Sequence, residues 1–262
     1  MFKEIVCSVI IPVYNGEKYI KQTIESCLMQ SVIDNIEIIV IDDCSKDSSF
    51  EICRYFGTVS PNVIVVRNEN NMGINKTLNK AALISKGKYI LFLGHDDMLR
   101  PNHVETILNE FEEDTSFIHC NADLIDEDNK IFGVGVKDRL QMRKTKLIKY
   151  YLVTGNIVHS TGTIIQRKKF DDVGGFDEKF RNYGEWLLWI KLASLGKVKY
   201  STKIRALYRR HDTNITNSFG DISVKVELLK YYEFCQDIAL LQIKNSLIRQ
   251  ILHLYIKSKN FL

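Results

Sequence analysis

The sequence has no run approaching the roughly 20 apolar residues of a membrane-spanning helix, so any membrane association must be peripheral. It has no Cys-x-x-Cys pair: Cys7, Cys27, Cys44, Cys53, Cys120 and Cys235 are scattered, and none lies near histidine at zinc-finger spacing. A zinc site is therefore disfavoured, and the cysteines read as free, mostly buried thiols of a reducing compartment such as the cytoplasm. No Gly-x-Gly-x-x-Gly follows the first apolar run, which excludes the fingerprint of a nicotinamide enzyme. The net charge is only +4, which rules out generic wrapping of nucleic acid. Internal repeats and low-complexity linkers are absent, and there are three prolines. Met1–Pro12 lacks a basic leader and a small-residue cleavage site, and reads as a first strand rather than a signal peptide.

What is present fits a globular protein of 262 residues, 45% hydrophobic and 26% charged, long enough to bury a real core. The small net charge hides an asymmetry. Met1–Arg139 holds 14 basic and 22 acidic residues, a net of −8; Leu140–Leu262 holds 22 and 10, a net of +12. An acidic front and a basic back suggest two different kinds of partner.

Apolar spacing predicts strands over Cys7–Ile11, Ile36–Ile41, Val63–Val66 and Tyr89–Leu93. Between them it predicts helices over Gly16–Gln30, with Asn15 as N-cap, over Ser48–Phe56, and over Ile74–Ser85 with Ala81, Ala82 and Leu83 on its face. Pro101 opens a further helix. Four strand–helix repeats mean βαβ units and a mainly parallel sheet, with ligands beyond the carboxyl ends of the strands. Past Phe111 the pattern loosens: a strand over Phe117–Ile125, a hairpin arm over Lys130–Val136, a basic helix over Leu140–Leu152, and a helix over Glu185–Leu195 with both tryptophans. From Asp221 to Lys259 the spacing is helical, which suggests a pair packed back on the domain; a dimer contact and a peripheral membrane face stay open. The expected division is residues 1–220 and a helical extension, 221–262.

Four groups could carry chemistry. Asp42-Asp43 ends the second strand; it either caps the next helix or hydrogen-bonds a base or ribose. Asp96-Asp97 ends the fourth; it is either a turn or a ligand for Mg²⁺ or Mn²⁺. Glu185 opens an aromatic-rich helix, where it can favour the positive helix end, act as a general base with a raised pKa, or both. Tyr208-Arg209-Arg210-His211 is either a surface basic loop or a metal or phosphate contact.

Five motifs in order add a resemblance: Ser8-Val9-Ile10-Ile11-Pro12-Val13-Tyr14-Asn15, Asp42-Asp43-x-Ser45-x-Asp47, Asn71-Met72-Gly73 with Asn79, Asp96-Asp97, and Gly174-Gly175-Phe176-Asp177. Together, over about Ile5–His211, the chain resembles an inverting family 2 glycosyltransferase of the GT-A fold. The resemblance implies a mainly parallel, Rossmann-like α/β sheet flanked by helices, with a helical tail. It implies a nucleotide-diphospho-sugar donor, a UDP-sugar foremost, with Mn²⁺ or Mg²⁺, a saccharide or lipid-linked acceptor, and bacterial surface-polysaccharide synthesis in the cytoplasm or at the inner membrane face. Donor contacts are expected from Pro12, Tyr14, Asn15, Asp42, Asp43, Arg67, Asn71, Gly73, Asn79 and Asp96, metal ligation from Asp96, Asp97 and His211, and base catalysis from Glu185. The chain departs from the family pattern at Gly94 and Gly184, where acids are common, and at Leu78, where arginine is common. A non-catalytic nucleotide-sugar-binding or scaffold protein on the same fold is the alternative. The basic half suits an acceptor on a lipid diphosphate or an anionic glycan.

Overall fold

The computed structural model describes residues 4–135, 147–180, 184–212, 214 and 222–259. Its first half is the expected alternation: β1 (Cys7–Val13), α1 (Ile20–Leu28), β2 (Ile36–Asp42), α2 (Ser49–Val59), β3 (Val63–Arg67), α3 (Ile74–Ile84), β4 (Tyr89–Phe92) and α4 (His103–Leu108). There follow β5 (Thr115–Ile125), β6 (Ile131–Val134), α5 (Ile148–Thr154), β7 (Ile164–Gln166), α6 (Arg167–Asp172), α7 (Glu185–Leu195), β8 (Lys197–Arg209), α8 (Ile222–Leu241) and α9 (Ser246–Lys259).

The strands form one sheet in the order β3-β2-β1-β4-β7-β5-β6, with β8 also paired to β5. β1 runs parallel to β2 and β4, and β2 to β3. β7 is antiparallel to both β4 and β5, while β8 runs parallel to β5 from Thr115↔Lys197 to Ile125↔Arg209. All seven residues of β2 are buried, as expected of a strand covered on both faces. Strand alternation divides the core in two. Ile10, Ile39 and Ile41 face the layer of α3, α5, α7 and α8, where Leu78, Leu152, Trp189 and Tyr231 pack. Val9, Ile11, Ile38 and Val40 face α1, α2 and α4 through Ile24, Cys53 and Ile107.

Three local expectations change. The first helix begins at Ile20, not Gly16, and Asn15 is not its cap: at φ +50° its side chain turns away and accepts the Lys46 N–H at 2.9 Å. Leu83 does not face the core; it is 82% exposed, and Leu78 takes that place. The segment around Tyr208-Arg209 is no surface loop: it ends the 13-residue strand β8, and Arg209 is fully buried. Lys197, Lys199, Lys203 and Arg205 alternate with Val198, Tyr200, Ile204 and Ala206, a strand pattern broken at Ser201-Thr202, where the pairing with β5 shifts register.

All six cysteines are free, and five are buried. The tail helices pack back on the domain, α8 against α5 and α7. The expected boundary at 220/221, most of the basic helix expected from Leu140, and the loop after Arg139 lie outside the described residues. No described helix is long and apolar enough to cross a membrane.

Candidate active site

The carboxyl ends of β1, β2 and β4 and the first turn of α7 open onto one cleft of about 950 Å³. Of the expected site residues, Pro12, Tyr14, Asn15, Asp43, Asn71, Gly73, Asp96, Asp97, Glu185 and His211 line it. Asp42, Arg67 and Asn79 do not.

The chain reverses just past β1 and β2 through two non-glycine residues in the left-handed region, Asn15 at φ +50° and Cys44 at φ +65°. Asp43, buried at the cleft, binds the backbone opposite: Oδ1 accepts the Met72 N–H and Oδ2 the Gly73 N–H, at 2.8 and 2.9 Å, and Asn68 donates at 2.8 Å. It thus pins the Asn71–Gly73 turn to the end of β2. Asp42 lies beneath. Arg67 pairs with its Oδ2 at 3.2 Å, donates to the Ser45 carbonyl and stacks over Phe50, so its guanidinium is occupied away from the cleft. Asn79 bridges to both backbone groups of Phe176, at 2.9 Å each. It fixes the Gly-Gly-Phe-Asp turn instead of reaching a ligand.

At the end of β4 the two aspartates part. Asp97 turns inward: Oδ1 accepts the Arg209 N–H at 3.0 Å and Oδ2 the Thr161 hydroxyl at 2.8 Å. Burial first, and then the neighbouring Asp96, push its carboxyl well above the usual range, against those two donors. Asp96 turns to the cleft. Its Oδ2 meets His211 Nε2 at 2.9 Å and the Asn214 amide at 3.2 Å. Arg209, at the buried end of β8, holds this turn together. Its Nε donates to the Asp96 carbonyl, its other nitrogens to the Asp126 carbonyl, Gln22 and Asn129, and its plane lies over Tyr19 at 4.6 Å.

Among the described residues no group of three or more His, Cys, Asp or Glu side chains could hold a metal. Asp96 and His211 form a smaller donor set. One carboxylate and one imidazole suit a divalent cation whose other ligands come from a substrate diphosphate. Asp97 lines the same cleft, with one hydrogen bond already accepted by each of its oxygens.

On the opposite wall Glu185 opens α7, where the helix end favours negative charge. Glu185 is an exposed residue whose side chain faces the cleft; proximity to the cleft walls raises the pKa of its carboxyl, and a hydrogen bond with Ser160 pulls it down. The adjacent hydroxyls of Ser160 and Thr161 therefore contact Glu185 and Asp97 in turn. Both glycines at the family departures stand in filled space. A Cβ on Gly94 would lie 2.8 Å from Asp96 Oδ1, and one on Gly184 would lie 2.7 Å from the Asn75 amide. An acid at either place would require the Asp96 or the Asn75 side chain to move.

A doubly covered, mainly parallel sheet with a cleft at the carboxyl ends of its strands, carboxylates on both walls, is the architecture of the GT-A fold. The model of glycosyl transferase family 2 matches residues 8–174, and the chain belongs to that family. It is 30% identical over 214 residues to an uncharacterized glycosyltransferase of Rickettsia typhi, covering 80% of this chain and 66% of that protein. It is 30% identical over 199 residues to chondroitin synthase of Escherichia coli, covering 75% of this chain and 28% of the synthase. The fold matches the Staphylococcus aureus TarS 1-349 structure in complex with UDP-GlcNAc, with a TM-score of 0.71 and 21% identity, over 92% of this chain and 67% of that one. The chain thus spans about two thirds, or less, of the length of these relatives.

Proposed function

We propose that the protein is an inverting glycosyltransferase that moves a sugar from a nucleotide-diphospho-sugar, a UDP-sugar foremost, to a hydroxyl of a saccharide or lipid-linked acceptor in surface-polysaccharide assembly. The observation that carries this reading is the placement of Glu185, at the head of α7, in the same cleft as Asp96 and His211. The solved complex of TarS with UDP-GlcNAc and the similarity to chondroitin synthase support the donor and acceptor classes. The lipid-linked acceptor would bring the protein to the inner membrane surface.

In this mechanism Glu185 accepts the proton of the acceptor hydroxyl as that oxygen attacks the anomeric carbon. The bond to the nucleoside diphosphate breaks on the opposite face, which inverts the configuration. A raised pKa brings the base closer to the working pH, where general-base catalysis is most effective. Pro12, Tyr14 and the turn pinned by Asp43 shape the nucleoside end of the cleft. Asp96 and His211 would hold Mn²⁺ or Mg²⁺, and a cation bound there supplies charge neutralisation to the departing diphosphate.

The test is a donor screen that follows nucleotide release, with and without Mn²⁺, over a panel of saccharide acceptors. Acceptor-dependent release from one donor is the expected result. Donor binding by calorimetry with no release for any acceptor would favour a non-catalytic nucleotide-sugar-binding protein.

A further inference from the structure

α9 is attached by a narrow stripe. Ile256 is buried, and Ile248 and Leu252 pack against the core; these positions recur every four residues. At about 100° per residue, Leu247, Ile251, Leu254 and Tyr255 fall in one sector beside that stripe. Arg249, His253 and Lys257 fall in the sector on its other side. All seven are exposed, Leu247, Ile251 and Leu254 by 64%, 57% and 66%. Leu241, at the end of α8, is 71% exposed. A solvated helix carries polar residues across its outer face. A cluster of large apolar side chains there marks a contact surface.

We propose that this outer face of α9 docks on an anionic lipid surface. Charge selects the partner. From Ile238 to Leu262 the sequence has four basic residues, Lys244, Arg249, Lys257 and Lys259, and no acid. An outer face with large apolar side chains along one side and cations along the other is the pattern of a helix lying in the headgroup layer, with the apolar side chains in the acyl boundary and the cations at the phosphates.

The tail is also bolted to the base-bearing helix. The Leu187 N–H donates to the Tyr231 hydroxyl at 3.1 Å, Trp186 meets Tyr232 edge-on at 5.3 Å, and Phe180 meets Tyr231 at 4.7 Å. Trp186 and Leu187 follow Glu185 directly. Docking of α9 would therefore fix the Glu185 wall of the cleft relative to the bilayer, where a lipid-linked acceptor arrives; this functional consequence rests on the acceptor reading above, whereas the docking itself does not.

The experiment is flotation of the full chain with vesicles of phosphatidylglycerol and phosphatidylcholine, and with phosphatidylcholine alone. Co-flotation with the anionic vesicles only is expected, weakened by high salt. The pair Ile251→Asp and Leu254→Asp should cut the bound fraction about tenfold or more, with nucleotide release toward a water-soluble acceptor unchanged. The pair Arg249→Gln and Lys257→Gln should cut it several-fold and flatten the salt dependence. Absence of flotation, or flotation indifferent to the two aspartates, overturns the proposal. So does a concentration-dependent dimer in light scattering that those aspartates abolish, which would make the face a contact between copies. Failure of nucleotide release with every donor would count against the transferase reading alone.

Discussion

The two walls of the cleft hold their carboxylates in different ways. On the side of β1–β4, Asp43 is gripped by two backbone N–H groups of the facing turn and by Asn68, and cannot move unless the turn does. On the side of α7, Glu185 has a single described hydroxyl donor, Ser160, and cleft walls that raise its pKa. The first arrangement builds a rigid surface for a ligand. The second leaves a carboxylate poised to exchange a proton. The contrast predicts opposite phenotypes. Glu185→Gln should lower the rate of acceptor-dependent nucleotide release by about 10²–10⁴, with thermal stability within about 0.5 kcal/mol of the parent. Full transfer activity in Glu185→Gln would remove the base assignment.

Asp43→Ala is the mirror experiment. It leaves the N–H groups of Met72 and Gly73 without an acceptor, at about 1–3 kcal/mol for each buried donor orphaned. Denaturant unfolding should show the loss, and calorimetry should show weaker nucleotide binding as the Asn71–Gly73 turn loosens. A variant as stable as the parent would mean that Asp43 does not anchor the turn.

The same division decides what could be read in advance. The four parallel strands and their helices are short, apolar and punctuated, so periodicity located them to within a few residues. Their ends then placed Asp43, Asp96 and Asp97 at one edge. The far half defeats that logic. β8 does alternate, with Lys197, Lys199 and Lys203 on the face that binds the acidic Glu110–Asp114 region, but Ser201-Thr202 splits the pattern into two short halves, each weak alone. Arg209 was legible only as one basic residue among several, since its burial depends on partners at 22, 96, 126 and 129 that no local pattern connects. Asn79 and Arg67 fitted a ligand-binding motif, yet both are occupied in holding turns.

A third test probes the far half through its histidines. His103, His119 and His159 lie around the 158–163 segment, and burial lowers their pKa values to about 4, about 3 and about 4. In the unfolded chain each would titrate near 6.5. Below that pH the unfolded state binds protons that the folded state refuses, so stability that is complete at neutral pH is lost as pH falls from about 6.5 toward 4. At pH 5 each histidine accounts for up to about 2 kcal/mol of that loss. Both ring nitrogens of His119 are buried without a hydrogen-bond partner. His119→Leu should therefore reduce the difference between unfolding free energies measured at pH 7 and pH 5. An unchanged difference would show that His119 is not held neutral in the folded protein.

The smallest expected effect separates the two walls most finely. Proximity to the cleft walls raises the Glu185 pKa and Ser160 opposes the rise. The base must be ionised to accept a proton, so activity falls as pH drops through its pKa. Ser160→Ala removes the opposing hydrogen bond and should move the acid limb of the rate profile to higher pH, with a loss below about tenfold at neutral pH. Ser160→Thr keeps a hydroxyl and should restore the limb. A purely structural role for Ser160 would lower the rate at every pH by the same factor. Asp43 substitutions should lower nucleotide affinity and leave the limb in place. If Ser160→Ala also leaves it in place, the Glu185 wall is as rigid as the donor wall, and the distinction between them fails at the residue where it is sharpest.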